Sequence, residues 1–330
     1  MTTIPVLVCD DSGLARKQLL RALPETWAVT VTQASNGKEA LEAIRAGLGA
    51  VVFLDLTMPI MDGYQVLAAL RAEGHQSRVI VISGDVQEEA VRRVNELGAL
   101  AFLKKPVDPK RLLETLATLD LLTQRSAASP VAVVEPNVGF RDAFRETVNV
   151  AMGRAAALLA RVLDVFVQLP VPNVNILEVG ELHMALADVG SGDRVTAVCQ
   201  GYIGGGIAGE ALLIFHDSEV ADMASLMHGR AEGNSEMELL LDLSSVLIGA
   251  CLSGIAEQID IVFSQSHPQV LGEHAPIEQL IQLNQQRWKK TLAVEISYSL
   301  EGHDIHFDLL LLFTEDSVEL LTKKLAYLMS

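Results

Sequence analysis

Across residues 3–122, short aliphatic runs alternate with stretches whose apolar positions recur every three or four residues. The runs at 6–9, 29–33, 51–55, 79–83 and 101–104 read as strands, and 38–46 and 87–97 as amphipathic helices between them. Repeated βα units of this length predict a parallel sheet covered by helices on both faces. Ligands bind such sheets beyond the carboxyl ends of the strands. Asp10, Asp11, Asp55 and Ser83 fall there.

The pattern lapses between 122 and 136 into Thr-Gln-Arg-Ser-Ala-Ala-Ser-Pro, which reads as a linker over 123–136. Beyond it the chain repeats itself. A long helical pattern at 140–166 has its counterpart at 237–259, and an apolar strand leading into a helix at 212–220 recurs 98 residues later at 310–318. Asp142, Glu146, Asn149 and Pro172 are matched 96 residues on by Glu238, Asp242, Ser245 and Pro268. One duplication accounts for both matches. It predicts a pseudo-twofold α/β sandwich over 137–330, with halves at about 138–232 and 233–330, following a first domain at 1–122. Pro172 and Pro268 are expected to shape the entry to a strand.

Composition narrows the function. A net charge of −17 argues against nucleic-acid binding. Cys9, Cys199 and Cys251 are odd in number and far apart, as expected of buried thiols in a reducing compartment. No secretory pattern opens the chain, and the most apolar stretch, 239–255, is interrupted by Asp242 and two serines and falls short of a membrane span. The expectation is a cytoplasmic protein without membrane insertion.

Phosphorylating a carboxylate requires Mg²⁺ to bring anionic oxygens together. Asp10, Asp11 and Asp55 can supply oxygen ligands, Lys105 a fixed positive charge and Ser83 a hydroxyl, while Phe102 can change rotamer when Ser83 moves. These residues, with Asp55-Leu56-Thr57-Met58-Pro59-Ile60-Met61-Asp62-Gly63, Ser83-Gly84 and Lys104-Lys105-Pro106, resemble the CheY-type receiver domain of response regulators. The resemblance implies a flavodoxin-like five-stranded fold and Asp55 as phosphoacceptor. It implies Mg²⁺ held by Asp10, Asp11, Asp55 and the Thr57 backbone carbonyl, Lys105 on the phosphoryl group, and Ser83 with Phe102 as the switch pair. A histidine kinase is the implied phosphodonor. Gly63 and Gly84 read as turn and close-approach glycines, and Asp62 as a helix cap.

Asp142, Glu146 and Asn149 stand at i, i+4 and i+7, on one face of one helix. Asparagine has poor helix propensity in that Ala-, Val- and Leu-rich setting, and its amide can both donate to and accept from a water. The pattern resembles the CheC/CheX/FliY family of aspartyl-phosphate phosphatases. That resemblance implies a helix inserted beside the phosphorylated site of a CheY-like receiver. Asn149 would aim the attacking water and Glu146 would pair with the receiver's lysine. A ~100-fold acceleration needs only about 2.7 kcal/mol. The expected substrate is a separate receiver, under control of Asp55 phosphorylation. Two alternatives stand beside it: hydrolysis in cis of the chain's own phospho-Asp55, and a non-catalytic interaction module or phosphate sink. The resemblance is compatible with homodimers.

In the second copy Asp242 is one methylene shorter than Glu and Ser245 lacks the planar amide, so that site is expected to be impaired. Gly204-Gly205-Gly206 reads as a hairpin turn, His303 and His306 as strand residues on opposite faces rather than metal ligands, Met223 and Met227 as core, and Arg16-Lys17 and Lys289-Lys290 as solvated pairs.

Overall fold

A computed structural model describes residues 3–122, 135–177, 194–228, 235–276 and 291–329. Most of the linker and the Lys289-Lys290 pair lie outside the described residues. The chain forms two compact units: Met1–Glu146 with Met329, and Thr147–Leu328 with Ser330.

The first unit is built on β1 (Ile4–Cys9), β2 (Val29–Ala34), β3 (Val51–Leu54), β4 (Arg78–Ser83) and β5 (Ala101–Lys104). They form a parallel sheet in the order β2-β1-β3-β4-β5. Helices α1 (Gly13–Ala22), α2 (Gly37–Arg45), α3 (Gly63–Ala72), α4 (Glu88–Glu96) and α5 (Pro109–Thr118) connect them. Alternation along each strand sorts the core into two layers. Leu7, Val52, Leu54 and Val81 pack with Leu41 of α2 and Val66 and Leu67 of α3. Val6, Val8, Phe53, Ile80 and Ile82 pack with Leu19 of α1 and Leu112 of α5. Burying each such side chain contributes roughly 1.5–3 kcal/mol. Helix starts follow local chemistry: Ser12 accepts from the Ala15 N–H, Asn36 from Glu39, Asp62 from Gln65 in a capping box, and Asp108 from Lys110, with Pro109 at the first helical position.

The unit runs past the expected boundary at 137, into the long helix α6 (Phe140–Leu163). Contacts made by Glu135, Asp142, Arg145 and Glu146 with the sheet's loops and with α1 account for the difference. They also correct the expectation for Arg16-Lys17. Lys17 is buried, with Nζ 3.7 Å from Glu135, and Arg16 donates to the Asp10 carbonyl.

The second unit is an antiparallel sheet. Hairpin β8 (Arg194–Gly204)–β9 (Ile207–His216) lies beside hairpin β12 (Thr291–Leu300)–β13 (His306–Phe313), with β9 against β13. Leu212 pairs with Leu310, its own equivalent at the 98-residue offset. The pseudo-twofold axis therefore passes between them. The short strands are exchanged across it: β6 (Val167–Gln168) and β7 (Asn173–Leu177) pair with β12, while β10 (Ser264–Gln265) and β11 (Gln269–Pro276) pair with β8. Pro172 and Pro268 immediately precede β7 and β11. Gly205 and Gly206, both at positive φ, turn the first hairpin. His303 sits in the turn before β13 rather than in a strand, because the second hairpin has a longer loop.

Helix α7 (Asp217–His228) follows β9, α8 (Glu236–Gln258) is the counterpart of α6, and α9 (Glu315–Met329) closes the chain. Met223 and Met227 are buried. At Ala151 and Gly254 the long helices approach so closely that a Cβ on residue 254 would lie 2.8 Å from the Ala151 Cα. By length and composition α8 is apolar enough to cross a membrane, despite Asp242 and its serines, but most of it is buried, with Leu239, Leu243, Leu247, Cys251 and Ile255 in the core.

Candidate functional site

Strand ends of the parallel sheet converge on one acidic pocket. Asp10 and Asp11 follow β1, Asp55 follows β3, Ser83 ends β4, and Lys105 follows β5. Backbone amides hold the ligating groups: Asp10 Oδ1 accepts from the Ser12 N–H at 2.9 Å and Asp55 Oδ1 from the Leu56 N–H at 2.8 Å. Gly63 is a necessary close approach, since a Cβ there would lie 2.2 Å from the Asp55 carbonyl oxygen.

Lys105 Nζ is the hub. It stands 2.7 Å from Asp10 Oδ2, 3.1 Å from Asp55 Oδ2 and 3.3 Å from Glu146 Oε1. Glu146 comes from the second turn of α6, so the start of that helix belongs to this pocket. One residue earlier, Arg145 Nη2 is 3.2 Å from Asp11 Oδ2 and 3.4 Å from Asp142 Oδ1. Asp142 in turn accepts from the N–H groups of Gly13 at 3.2 Å and Leu14 at 3.0 Å. With the Ser12 hydroxyl serving Ala15, the first three amides of α1 are all satisfied.

The pocket's electrostatics follow from burying more carboxylates than cations. Burial pushes Asp55 well above the usual carboxylate range, with Lys105 opposing and Asp10 adding to the rise. Burial likewise raises Asp11 to about 6, with Asp10 adding and Arg145 opposing. Glu146 rises to about 7, again from burial, with Lys105 pulling it back. Burial alone would lower Lys105, but Asp10, Asp55 and Glu146 more than reverse this and hold its ammonium charged. Carboxylate oxygens of Asp10, Asp11 and Asp55 lie within 4.8 Å of one another. This all-oxygen set, with negative charge in excess, fits Mg²⁺. Thr57, the further expected ligand, lies in the loop after β3 and is half-buried.

Residues 6–117 match the family described as response regulator receiver domain. A probable transcriptional regulatory protein NarL from Mycobacterium tuberculosis is 33% identical over 212 residues, covering 60% of this chain and 93% of that protein. The chain belongs to the response-regulator family. Chemotaxis protein CheY from Treponema pallidum is 34% identical over 117 residues, covering 34% of this chain and 81% of CheY. FliY from Thermotoga maritima is similar in structure across 59% of this response regulator and 98% of FliY, at 19% identity and a TM-score of 0.43. A receiver domain implies a histidine kinase as phosphodonor.

In this response regulator the Ser83 hydroxyl accepts from the Asp85 N–H at 3.1 Å, and Phe102 is half-buried against the α2–α3 layer. Glu146 and Asn149 are 5% and 6% exposed. Asp242 and Ser245, by contrast, are exposed on α8. Sequence reasoning missed Arg145 and Asp85. Arg145 carries no signal except its place beside Glu146. Asp85 is buried and raised to about 6 by that burial, and its closeness to Ser83 in sequence was the available clue.

Proposed function

We propose that this response regulator shortens the life of its own phosphorylated state. On this reading the α6 face of Glu146 and Asn149 hydrolyses the aspartyl phosphate on Asp55 of the same chain. The observation carrying it is the 3.3 Å approach of Glu146 Oε1 to Lys105 Nζ with both side chains buried. Glu146 thus meets the lysine of its own receiver, where the sequence resemblance implied a partner's. Asn149 follows three residues later on the same helical face, about 4.5 Å further along the axis.

In the proposed reaction Lys105 holds the phosphoryl oxygens and Glu146 holds the helix to Lys105. The Asn149 amide accepts from and donates to a water, fixing its lone pair toward phosphorus. The water oxygen attacks, the bond from phosphorus to the Asp55 oxygen breaks, and both water protons leave with inorganic phosphate. Asp55 returns as a carboxylate. Mg²⁺ at Asp10, Asp11 and Asp55, when bound, neutralises charge on the phosphoryl oxygens. Tethering supplies an effective concentration on the order of millimolar.

Complementation between two variants tests the reading. Asn149→Ala keeps the phosphoacceptor and loses the water-aiming amide, while Asp55→Asn does the reverse. We expect the phosphorylated Asn149→Ala chain to decay slowly, and adding the Asp55→Asn chain to leave its decay unchanged. Acceleration by the added chain would overturn the cis reading in favour of action on a separate receiver. Equal decay of wild type and Asn149→Ala would leave the interaction module as the better account.

A further inference from the structure

Arg145 is unexplained by hydrolysis. It reaches across to Asp11, the most accessible member of the carboxylate triad, and is steadied there by Asp142. Asp142 is itself anchored on the amides of Gly13 and Leu14, immediately after the Asp10–Asp11 loop. A Cβ at position 13 would lie 2.9 Å from Asp142 Oδ2 and so crowd the anchoring carboxylate. The acidic pocket is therefore already served by a protein cation brought in on α6.

From this geometry we propose that Arg145 is a built-in competitor for the divalent cation: the docked start of α6 holds the guanidinium on Asp11, and Mg²⁺ binds only as Arg145 withdraws. Asp11 cannot serve both fully. Mg²⁺ requires its oxygen ligands at about 2.0–2.1 Å in near-octahedral array, and a guanidinium at hydrogen-bond distance from the same oxygen repels the ion. Metal loading and the Arg145–Asp11 contact become linked, each weakening the other by the same factor. The proposal stands whether or not the chain hydrolyses its own phosphate, because it concerns the unphosphorylated state.

The test is calorimetric titration of the unphosphorylated full chain with Mg²⁺, comparing wild type, Arg145→Gln, Asp142→Ala and Gly13→Ala. Removing Arg145 should tighten Mg²⁺ about tenfold, but simple electrostatics predicts that too. Asp142→Ala separates the two accounts by sign. Loss of a nearby negative charge should weaken Mg²⁺ binding if charge alone matters; loss of the anchor should tighten it about three- to tenfold if Arg145 competes. Gly13→Ala changes no charge and should shift affinity in the same direction as Asp142→Ala, by less. Weaker or unchanged Mg²⁺ binding in Asp142→Ala overturns the proposal, as does unchanged binding in Arg145→Gln. Circular dichroism of each variant confirms that the comparison is among folded chains.

Discussion

Helices α6 and α8 hold equivalent places in the two halves of the pseudo-twofold repeat, yet their opening turns do different things. In α8, Ser235 and Glu238 form a capping box: the Ser235 N–H donates to the Glu238 carboxylate at 2.8 Å and the Glu238 N–H donates back to the Ser235 hydroxyl at 3.3 Å. The equivalents in α6 are Gly139, which has no side chain to cap with, and Asp142. Released from its own helix, Asp142 serves the amides of α1 instead. One turn on, Glu146 is buried against Lys105, whereas Asp242 is exposed. Loss of a local cap and gain of a remote contact go together. The comparison teaches that a residue's role in a duplicated helix depends on what covers its face, not on its place in the repeat.

The largest effect expected from breaking this contrast is at Asn149. Replacing it with alanine should slow phospho-Asp55 decay about 100-fold, equivalent to roughly 2.7 kcal/mol of barrier, followed by phosphate release in single turnover. A rate within twofold of wild type would deny the amide its role. The converse experiment gives α8 what α6 has. Asp242→Glu with Ser245→Asn, on an exposed face, should add about tenfold to decay of a separate phosphorylated receiver while leaving cis decay alone. No gain would mean that more than the side chains was lost from the second copy.

A third contrast lies between buried and exposed acids. Asp85 and Asp11 are raised to about 6 and Glu146 to about 7, each chiefly by burial. From about pH 4 the unfolded chain releases these protons, while the folded chain holds them until about pH 6 for Asp85 and Asp11 and about pH 7 for Glu146. Folded molecules then bind more protons, so stability falls as pH rises through that window. Metal-free protein should lose about 5 °C in Tm between pH 5 and pH 7.5, measured by scanning calorimetry. Asp85→Asn, lying outside the metal pocket, should flatten part of that slope, and a Tm that climbed over the range would contradict burial as the cause. The smallest effect concerns the caps. Ser235→Ala should cost about 1 kcal/mol, and Gly139→Ser, into open space, should stabilise by only a few tenths. Urea titrations would read both, and equal effects at the two positions would erase the asymmetry.

The receiver half was legible along the chain because its information is local. Each strand announces itself by its aliphatic run, and Asp10, Asp55, Ser83 and Lys105 are each the last residue of a strand or the first beyond it. The duplication was legible for a related reason: fixed offsets survive even where the residues drift. Exposure was not legible. Asp142, Glu146 and Asn149 read as a face awaiting a partner, and Arg16-Lys17 as solvated, because periodicity says which residues share a side of a helix and nothing about what meets that side.

Sequence alone thus determined the parallel sheet, the acidic triad with Lys105, and the repeat that sets Asp242 and Ser245 where the first copy has Glu146 and Asn149, all consequences of short-range patterning and spacing. Only the tertiary structure decided that Glu146 reaches the lysine of its own chain, that Arg145 rests on Asp11, and that Asp142 caps α1. Those pairings join residues tens to more than a hundred positions apart, and their energies arise from burial and charge neutralisation in a shared pocket, which no window along the chain contains.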